Sequence, residues 1–214
     1  MMKLLANKRC LIVGAAPLED MGWLKALADR HDFCIGADGG CRHLLRAGRS
    51  PDLAIGDFDS GTVPSGVPVY TYPVEKDDTD AMLAVKWALE QGYRSFTLAG
   101  MVGGRLDHTV AALQTLYYLF CHGASGTLQA PDQWGTFLLG GGSLELPRQE
   151  GCTLSVFAYS EQVRGLTLQG VQYPLEQGEL TNTFPLGVSN HFAAPTARIS
   201  LAEGALLILV CQEY

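Results

Sequence analysis

Along the first 130 residues, short apolar runs alternate with stretches of helical periodicity. Residues 9–13 form an apolar run closed by Gly14-Ala15-Ala16-Pro17, the pattern of a strand and its turn. Leu18, Met21, Leu24 and Leu27-Ala28 then recur at helical spacing up to Arg30. Residues 33–37 repeat the strand pattern, and Asp38-Gly39-Gly40 leads into a helical stretch over 41–47. Residues 53–55 and 69–72 predict two further strands. A helix is predicted over 79–91, with Met82, Val85, Trp87 and Leu89 as its apolar residues, Thr79 or Asp78 as its cap and Gly92 as its stop. Residues 95–99 predict a strand, 106–121 a long helix and 126–130 another strand. Strands alternating with helices in this way predict a mostly parallel α/β sheet.

After Trp134 the period shifts from 3.6 residues towards 2. Short runs at 136–139, 143–146, 153–158 and 167–168 are separated by Gly, Pro and Asn, and predict strands. Residues 197–201 and 205–210, joined around Glu203-Gly204, predict a closing hairpin. The chain therefore divides into an α/β part over 1–132 and a small all-β part over 133–214.

Composition narrows the class. The 214 residues are 47% hydrophobic and 17% charged, enough for a buried core without metals or disulfides. Six cysteines are widely and irregularly spaced without a CxxC pair, which predicts reduced core thiols and a cytoplasmic protein. No apolar run reaches the ~18 residues of a membrane helix. The apolar stretch after Lys8-Arg9 runs into Pro17-Leu18-Glu19-Asp20, a helix entry rather than a cleavage site. With 22 acidic and 15 basic side chains the net charge is −7, which argues against a nucleic-acid partner. The charge is uneven: residues 1–123 carry 14 acids and 12 bases, whereas 124–214 carry 8 and 3.

The acids of the first part cluster just past strand ends. Asp38 follows the second strand, Asp57 and Asp59 the third, and Asp77, Asp78 and Asp80 the fourth. A parallel sheet brings such loops to one edge, where ligands of open α/β sheets bind. In extended backbone Asp57 and Asp59, at i and i+2, point to the same side, an arrangement suited to Mg²⁺. Lys76 and Arg105 accompany these acids, and Gly39-Gly40 and Gly103-Gly104 lead into helices whose first N–H groups suit an anion. His108 follows Asp107 and is equally suited to donating to a phosphate or to packing. Neither glycine pair matches a dinucleotide fingerprint or a Walker loop. Together the features describe metal-assisted phosphoryl chemistry.

Four ordered stretches carry a more specific signal: Ala37-Asp38-Gly39-Gly40, residues 51–60 (PDLAIGDFDS), Lys76-Asp77-Asp78-Thr79-Asp80, and Gly103-Gly104-Arg105-Leu106-Asp107-His108. They resemble the motif set of the thiamine pyrophosphokinase family, and residues 170–175 and 187–190 resemble its thiamine-domain motifs. The resemblance spans residues 10 to about 210. It implies a Rossmann-like α/β catalytic domain that binds ATP and Mg²⁺, followed by a β-sandwich that binds thiamine. It also implies a homodimer with thiamine near the subunit interface, and diphosphate transfer from ATP to the thiamine hydroxyl, releasing AMP. On these residues the resemblance makes Asp57, Asp59 and Asp80 the Mg²⁺ ligands, supported by Asp38, Asp77 and Asp78. Gly39, Gly40, Thr79, Gly104 and His108 fall in the nucleotide-site motifs. Lys76 and Arg105 balance triphosphate charge, Asp107 orients Arg105 or the hydroxyl, and Ser189 and Asn190 contact the vitamin. His191 then stands where many members carry an acid.

Either Asp38 or Asp80 could take the hydroxyl proton. Two rival readings use the same residues: a Mg²⁺-dependent nucleotide hydrolase with water as acceptor, and a non-catalytic thiamine or nucleotide sensor. AMP formation without thiamine marks the first, and thiamine binding without turnover the second.

Overall fold

The computed structural model describes residues 8–58, 65–71 and 78–213. It divides into two compact units, Met1–Pro131 and Asp132–Tyr214.

In the first unit the strands are β1 (Arg9–Val13), β2 (Phe33–Ala37), β3 (Leu53–Ile55), β4 (Val69–Tyr70), β5 (Ser95–Ala99) and β6 (Ser125–Ala130). The helices are α1 (Met21–Ala28), α2 (Gly40–Arg46), α3 (Asp80–Glu90) and α4 (Leu106–Cys121). The strands stand in the order β6-β5-β1-β2-β3-β4, every neighbouring pair parallel. At its centre β1 is buried on both faces, which explains an unbroken apolar run in place of alternation. Leu11 and Val13 join Cys34 and the inner residues of α1 and α2 on one side. Cys10 and Ile12 point to the opposite side, where α3 packs on β1 and β2.

The caps follow side-chain chemistry. Asp20 Oδ1 accepts from Trp23 N at 2.8 Å at the start of α1, and Thr79 Oγ1 accepts from Met82 N at 3.2 Å at the start of α3. The buried face of α3 is Leu83, Ala84, Val85 and Ala88; of the expected apolar residues Val85 belongs to it, while Met82, Trp87 and Leu89 are half-buried. The small alanines let the helix approach the sheet, and the larger side chains lie at its margins. A second close approach joins α2 to β1. A Cβ on Gly40 would lie 1.8 Å from the Val13 carbonyl oxygen, so the second glycine of Asp38-Gly39-Gly40 is required by packing.

The second unit is antiparallel throughout its named strand pairs. One sheet runs β12 (Asn190–His191), β9 (Cys152–Ala158), β14 (Ala205–Gln212), β7 (Gln133–Leu139). The other runs β11 (Leu175–Thr181), β10 (Gln162–Gln169), β13 (Thr196–Ser200), β8 (Ser143–Pro147). Both contribute to one apolar core, with Leu154, Val156, Leu206 and Ile208 from the first and Val163, Leu166, Ala197 and Ile199 from the second.

The closing hairpin expected over 197–210 does not form. β13 pairs with β10 and β8, whereas β14 pairs with β7 and β9. Residues 201–204 carry the chain from one sheet to the other, so that Ile199 and Ile208 both reach the shared core. The two strands have different burial. β13 alternates, exposing Arg198, while β14 is buried over most of its length as a central strand.

Replacing Gly40 by alanine overpacks the α2–β1 contact. Gly40→Ala is expected to lower the unfolding free energy by about 1–3 kcal/mol. Urea unfolding followed by circular dichroism checks this, and an unchanged midpoint would contradict it.

Candidate functional site

In the first unit the chain leaves β1 towards β2, β3 and β4, then returns to the other side of β1 as β5 and β6. The carboxyl ends of β1 and β5 therefore flank a topological switch point, where the flanking loops part and leave a crevice. A cavity of about 540 Å³ opens there. Its walls are residues 14–17 after β1, Ala37-Asp38 at β2, residues 78–81 at the start of α3, Gly100-Met101 after β5 and one face of α4.

Two glycines make the switch point close. Gly14 N donates to Ala99 O and Ala16 N to Gly100 O, both at 2.8 Å. Gly100 adopts φ +63°, and a Cβ on it would lie 2.7 Å from Gly14 O. A side chain at either position would force the two strand exits apart. Gly104 approaches the same loop, since a Cβ there would meet Pro17 Cδ at 3.0 Å.

From α4 the cavity receives Gly104, Arg105, His108, Ala111, Ala112 and Thr115, spaced as one helical face. The first turn carries the cationic group and the later turns small residues. Arg105 occupies the N-cap position without capping by its own side chain. Its guanidinium holds Asp107, with Nε donating to Oδ1 at 3.1 Å, and Asp107 Oδ1 also accepts from His108 N at 2.9 Å. This pair pushes the Asp107 carboxyl below and the Arg105 guanidinium above their ordinary ranges. The start of α4 thus presents the Arg105–Asp107 ion pair alongside the favourable end of the helix dipole.

The acidic side is built from two segments, the exit of β2 and the start of α3. Asp38 adopts φ +45°, its Oδ1 is buried, and among the described residues no hydrogen-bond partner reaches that oxygen. A left-handed backbone and a bare buried oxygen thus coincide at the cavity wall. Asp78 accepts from Lys86 Nζ at 2.6 Å, so α3 supplies a cation that sequence reading overlooked. Asp80 lines the cavity from the first turn of α3.

Of the predicted site residues, Asp38, Asp78, Thr79, Asp80, Gly104, Arg105 and His108 line this one cavity. Asp107 holds Arg105, and Gly39 and Gly40 pack the start of α2 against residues 13–15. Asp57 follows β3 on the same sheet edge. The extended backbone assumed for Asp57 and Asp59 is interrupted by Phe58 at φ +54°, so the i, i+2 argument for their common side does not apply. Asp59, Lys76 and Asp77 lie outside the described residues. Among the described residues no group of three His, Cys, Asp or Glu gathers at metal-binding distance. The sequence reading overlooked residues 14–17 and Gly100-Met101; an apolar run ending in small residues was the available signal.

Ser189 and Asn190 lie in the second unit. Asn190 is buried, and its amide clasps the Tyr173 backbone, with Nδ2 donating to Tyr173 O at 2.8 Å and Oδ1 accepting from Tyr173 N at 3.0 Å. The Tyr173 side chain is left exposed, as are those of Phe184, Leu186 and Val188. Ser189 stands at φ +56°, its N–H donating to Ser155 Oγ at 3.0 Å. His191 Nε2 meets Glu213 Oε1 at 2.8 Å, so an acid does stand beside position 191.

Comparison with known proteins converges on one group. The family model for the thiamin pyrophosphokinase catalytic domain matches residues 24–125, and that for the thiamin pyrophosphokinase vitamin B1 binding domain matches 143–206. The chain is 32% identical over 209 residues to the thiamine pyrophosphokinase of Bacillus subtilis (strain 168), covering 92% of this chain and 96% of that one. The crystal structure of a Bacillus subtilis thiamine pyrophosphokinase aligns with a TM-score of 0.88 at 30% identity, over 97% of this chain and 100% of that one. That from Geobacillus thermodenitrificans aligns with a TM-score of 0.82 at 29% identity, over 96% and 98%. The yeast thiamin pyrophosphokinase structure shares the fold at 14% identity, with a TM-score of 0.78 over 100% and 90%.

Thr79 places Asp78 and Asp80 by ending the loop where α3 begins. Thr79→Ala is expected to cost about 1 kcal/mol of stability, and Thr79→Ser to recover most of it. Equilibrium denaturation of both variants checks this; equal loss in both would contradict a capping role.

Proposed function

The chain belongs to the thiamin pyrophosphokinase family, and from that premise we propose how its residues divide the work. The protein transfers a diphosphate group from ATP to the hydroxyl of thiamine, giving thiamine diphosphate and AMP. The observation that carries our placement of ATP is the switch-point cavity, which brings Arg105 at the start of α4 together with the acids of two loops.

In our reading, residues 1–132 form a Rossmann-like catalytic domain and 133–214 a β-sandwich that takes the vitamin. The thiamine hydroxyl oxygen attacks the β-phosphorus of ATP in line with departing AMP. A new P–O bond to thiamine forms as the bond from the β-phosphorus to the α,β-bridging oxygen breaks. Arg105, held by Asp107, and the first N–H groups of α4 meet the phosphate charge, and Lys76 adds to them. The hydroxyl proton passes to a carboxylate of the cavity, Asp38 or Asp80. Thiamine is cationic, so the acids also favour the acceptor.

Bound Mg²⁺ would neutralise triphosphate charge. Asp57, Asp59 and Asp80 would hold it, with Asp38, Asp77 and Asp78 beside them. What supports a hard cation here is the chemistry of the donors: Asp38, Asp78 and Asp80 line one cavity, and among the described residues no hydrogen-bond partner reaches the buried Asp38 Oδ1.

On the vitamin side, Ser189 and the exposed Tyr173 ring contact thiamine, and Asn190 acts through the Tyr173 backbone it holds. In the second unit the exposed Phe184, Leu186 and Val188 are apolar side chains that a second copy would cover in a homodimer, with thiamine near the subunit interface. Six thiols outside any disulfide support a reducing compartment, the cytoplasm. A net charge of −7 supports neither nucleic acid nor an anionic membrane as partner.

Incubation with thiamine, ATP and Mg²⁺ should yield thiamine diphosphate and AMP in equal amounts. Asp57→Ala should reduce turnover at least about 100-fold, the scale set by loss of a group that stabilises transition-state charge, with an unchanged melting temperature. AMP release without thiamine would overturn the reading in favour of hydrolysis.

A further inference from the structure

We propose that His43 is a positioning residue for nucleotide binding, holding residues 14–17 in place as a cavity wall through its hydrogen bond to the Ala16 carbonyl. The proposal rests on the reading that ATP occupies the switch-point cavity. His43 lies on α2, 5% exposed, with Nε2 3.0 Å from Ala16 O. A carbonyl only accepts, so Nε2 carries the proton and Nδ1 of the neutral ring is a bare lone pair. That Nδ1 is buried and has no hydrogen-bond partner among the described residues.

A histidine kept only to fill the core would leave this nitrogen no worse placed if replaced by an apolar side chain of similar size, because buried polar atoms without partners are costly. What the imidazole supplies beyond volume is the donor at Nε2. Burial lowers its pKa, with Arg42 and Arg46 acting in the same direction, and so maintains the neutral ring that this geometry requires.

Ala16 is thereby held from both sides. Its N–H donates to Gly100 O at 2.8 Å from the β5 exit, and its carbonyl accepts from His43 on α2. Pro17, the next residue, has no N–H to anchor it and lies close to Gly104 beside the cationic start of α4. Release of the Ala16 carbonyl would let the wall shift where it meets Gly104 and Arg105. Such a shift affects the nucleotide more than the vitamin.

The test compares wild type, His43→Leu and His43→Gln by steady-state kinetics and by calorimetric titration with ATP. His43→Leu removes the donor, whereas the Gln amide nitrogen reaches the position of Nε2. His43→Leu should raise the KM and Kd for ATP about tenfold, the equivalent of one buried hydrogen bond. The KM for thiamine and kcat at saturating ATP should stay within about twofold, since the lost contact is one made equally in ground and transition states. His43→Gln should recover most of the ATP affinity. An unchanged ATP affinity in His43→Leu, an equal rise in the thiamine KM, or a His43→Gln variant no better than His43→Leu would each overturn the proposal. If His43→Leu does not melt cooperatively, His43→Asn, whose amide is too short to reach Ala16, takes its place. Wild-type protein that binds ATP but yields no thiamine diphosphate overturns the reaction reading, and the ATP affinities of the variants still decide the role of His43. Wild-type protein that binds no ATP overturns both.

Discussion

The site depends on the contact between the exits of β1 and β5. Gly14 and Gly100 bring two backbone segments together where no side chain fits, and two hydrogen bonds at 2.8 Å fasten them. Because β1 is the strand from which the chain winds first one way and then the other, this contact sits at the switch point of the sheet. The cavity walls that leave β1 and β5 are referenced to it. Residues 14–17 leave from one side, Gly100-Met101 from the other, and α4 starts five residues beyond Met101 with its N-terminus beside the opening. Rigid parallel strands buried on both faces give these short loops a fixed base.

On this frame the electrostatics separate along the cavity. Arg105, fixed by Asp107, and the first turn of α4 suit a polyanion. Asp38, Asp78 and Asp80 approach from β2 and α3, each held differently: a strained backbone for Asp38, an ion pair with Lys86 for Asp78, a helix start for Asp80. The near balance of 14 acids and 12 bases in residues 1–123 reflects this pairing. The larger excess of acid in the β part, 8 against 3, suits a cationic vitamin.

Much of the α/β unit was legible because its elements obey local rules. The unbroken apolar run of residues 10–13 marks a strand buried on both faces, Thr79 marks a helix start, and Gly92 a stop. Seven of the predicted site residues met in one cavity because parallel topology carries loop ends to one edge. What stayed illegible depended on long-range contact. Nothing local distinguishes Gly40, required by the Val13 carbonyl, from a glycine that receives an anion. The left-handed backbone at Phe58 defeats an argument built on extended geometry. In the β unit, two apolar runs around Glu203-Gly204 read as a hairpin, while the shared core of two sheets draws them apart. Asn190 carries a motif signature, yet its amide is committed to the Tyr173 backbone, which only coordinates reveal.

Hydrogen–deuterium exchange with and without ATP addresses the central claim most directly, that the nucleotide occupies the cavity at the switch point. Slower exchange at residues 14–16 and 104–108 on addition of ATP is the predicted result. Protection confined to residues 132–214, or absent from both of those segments, would contradict it.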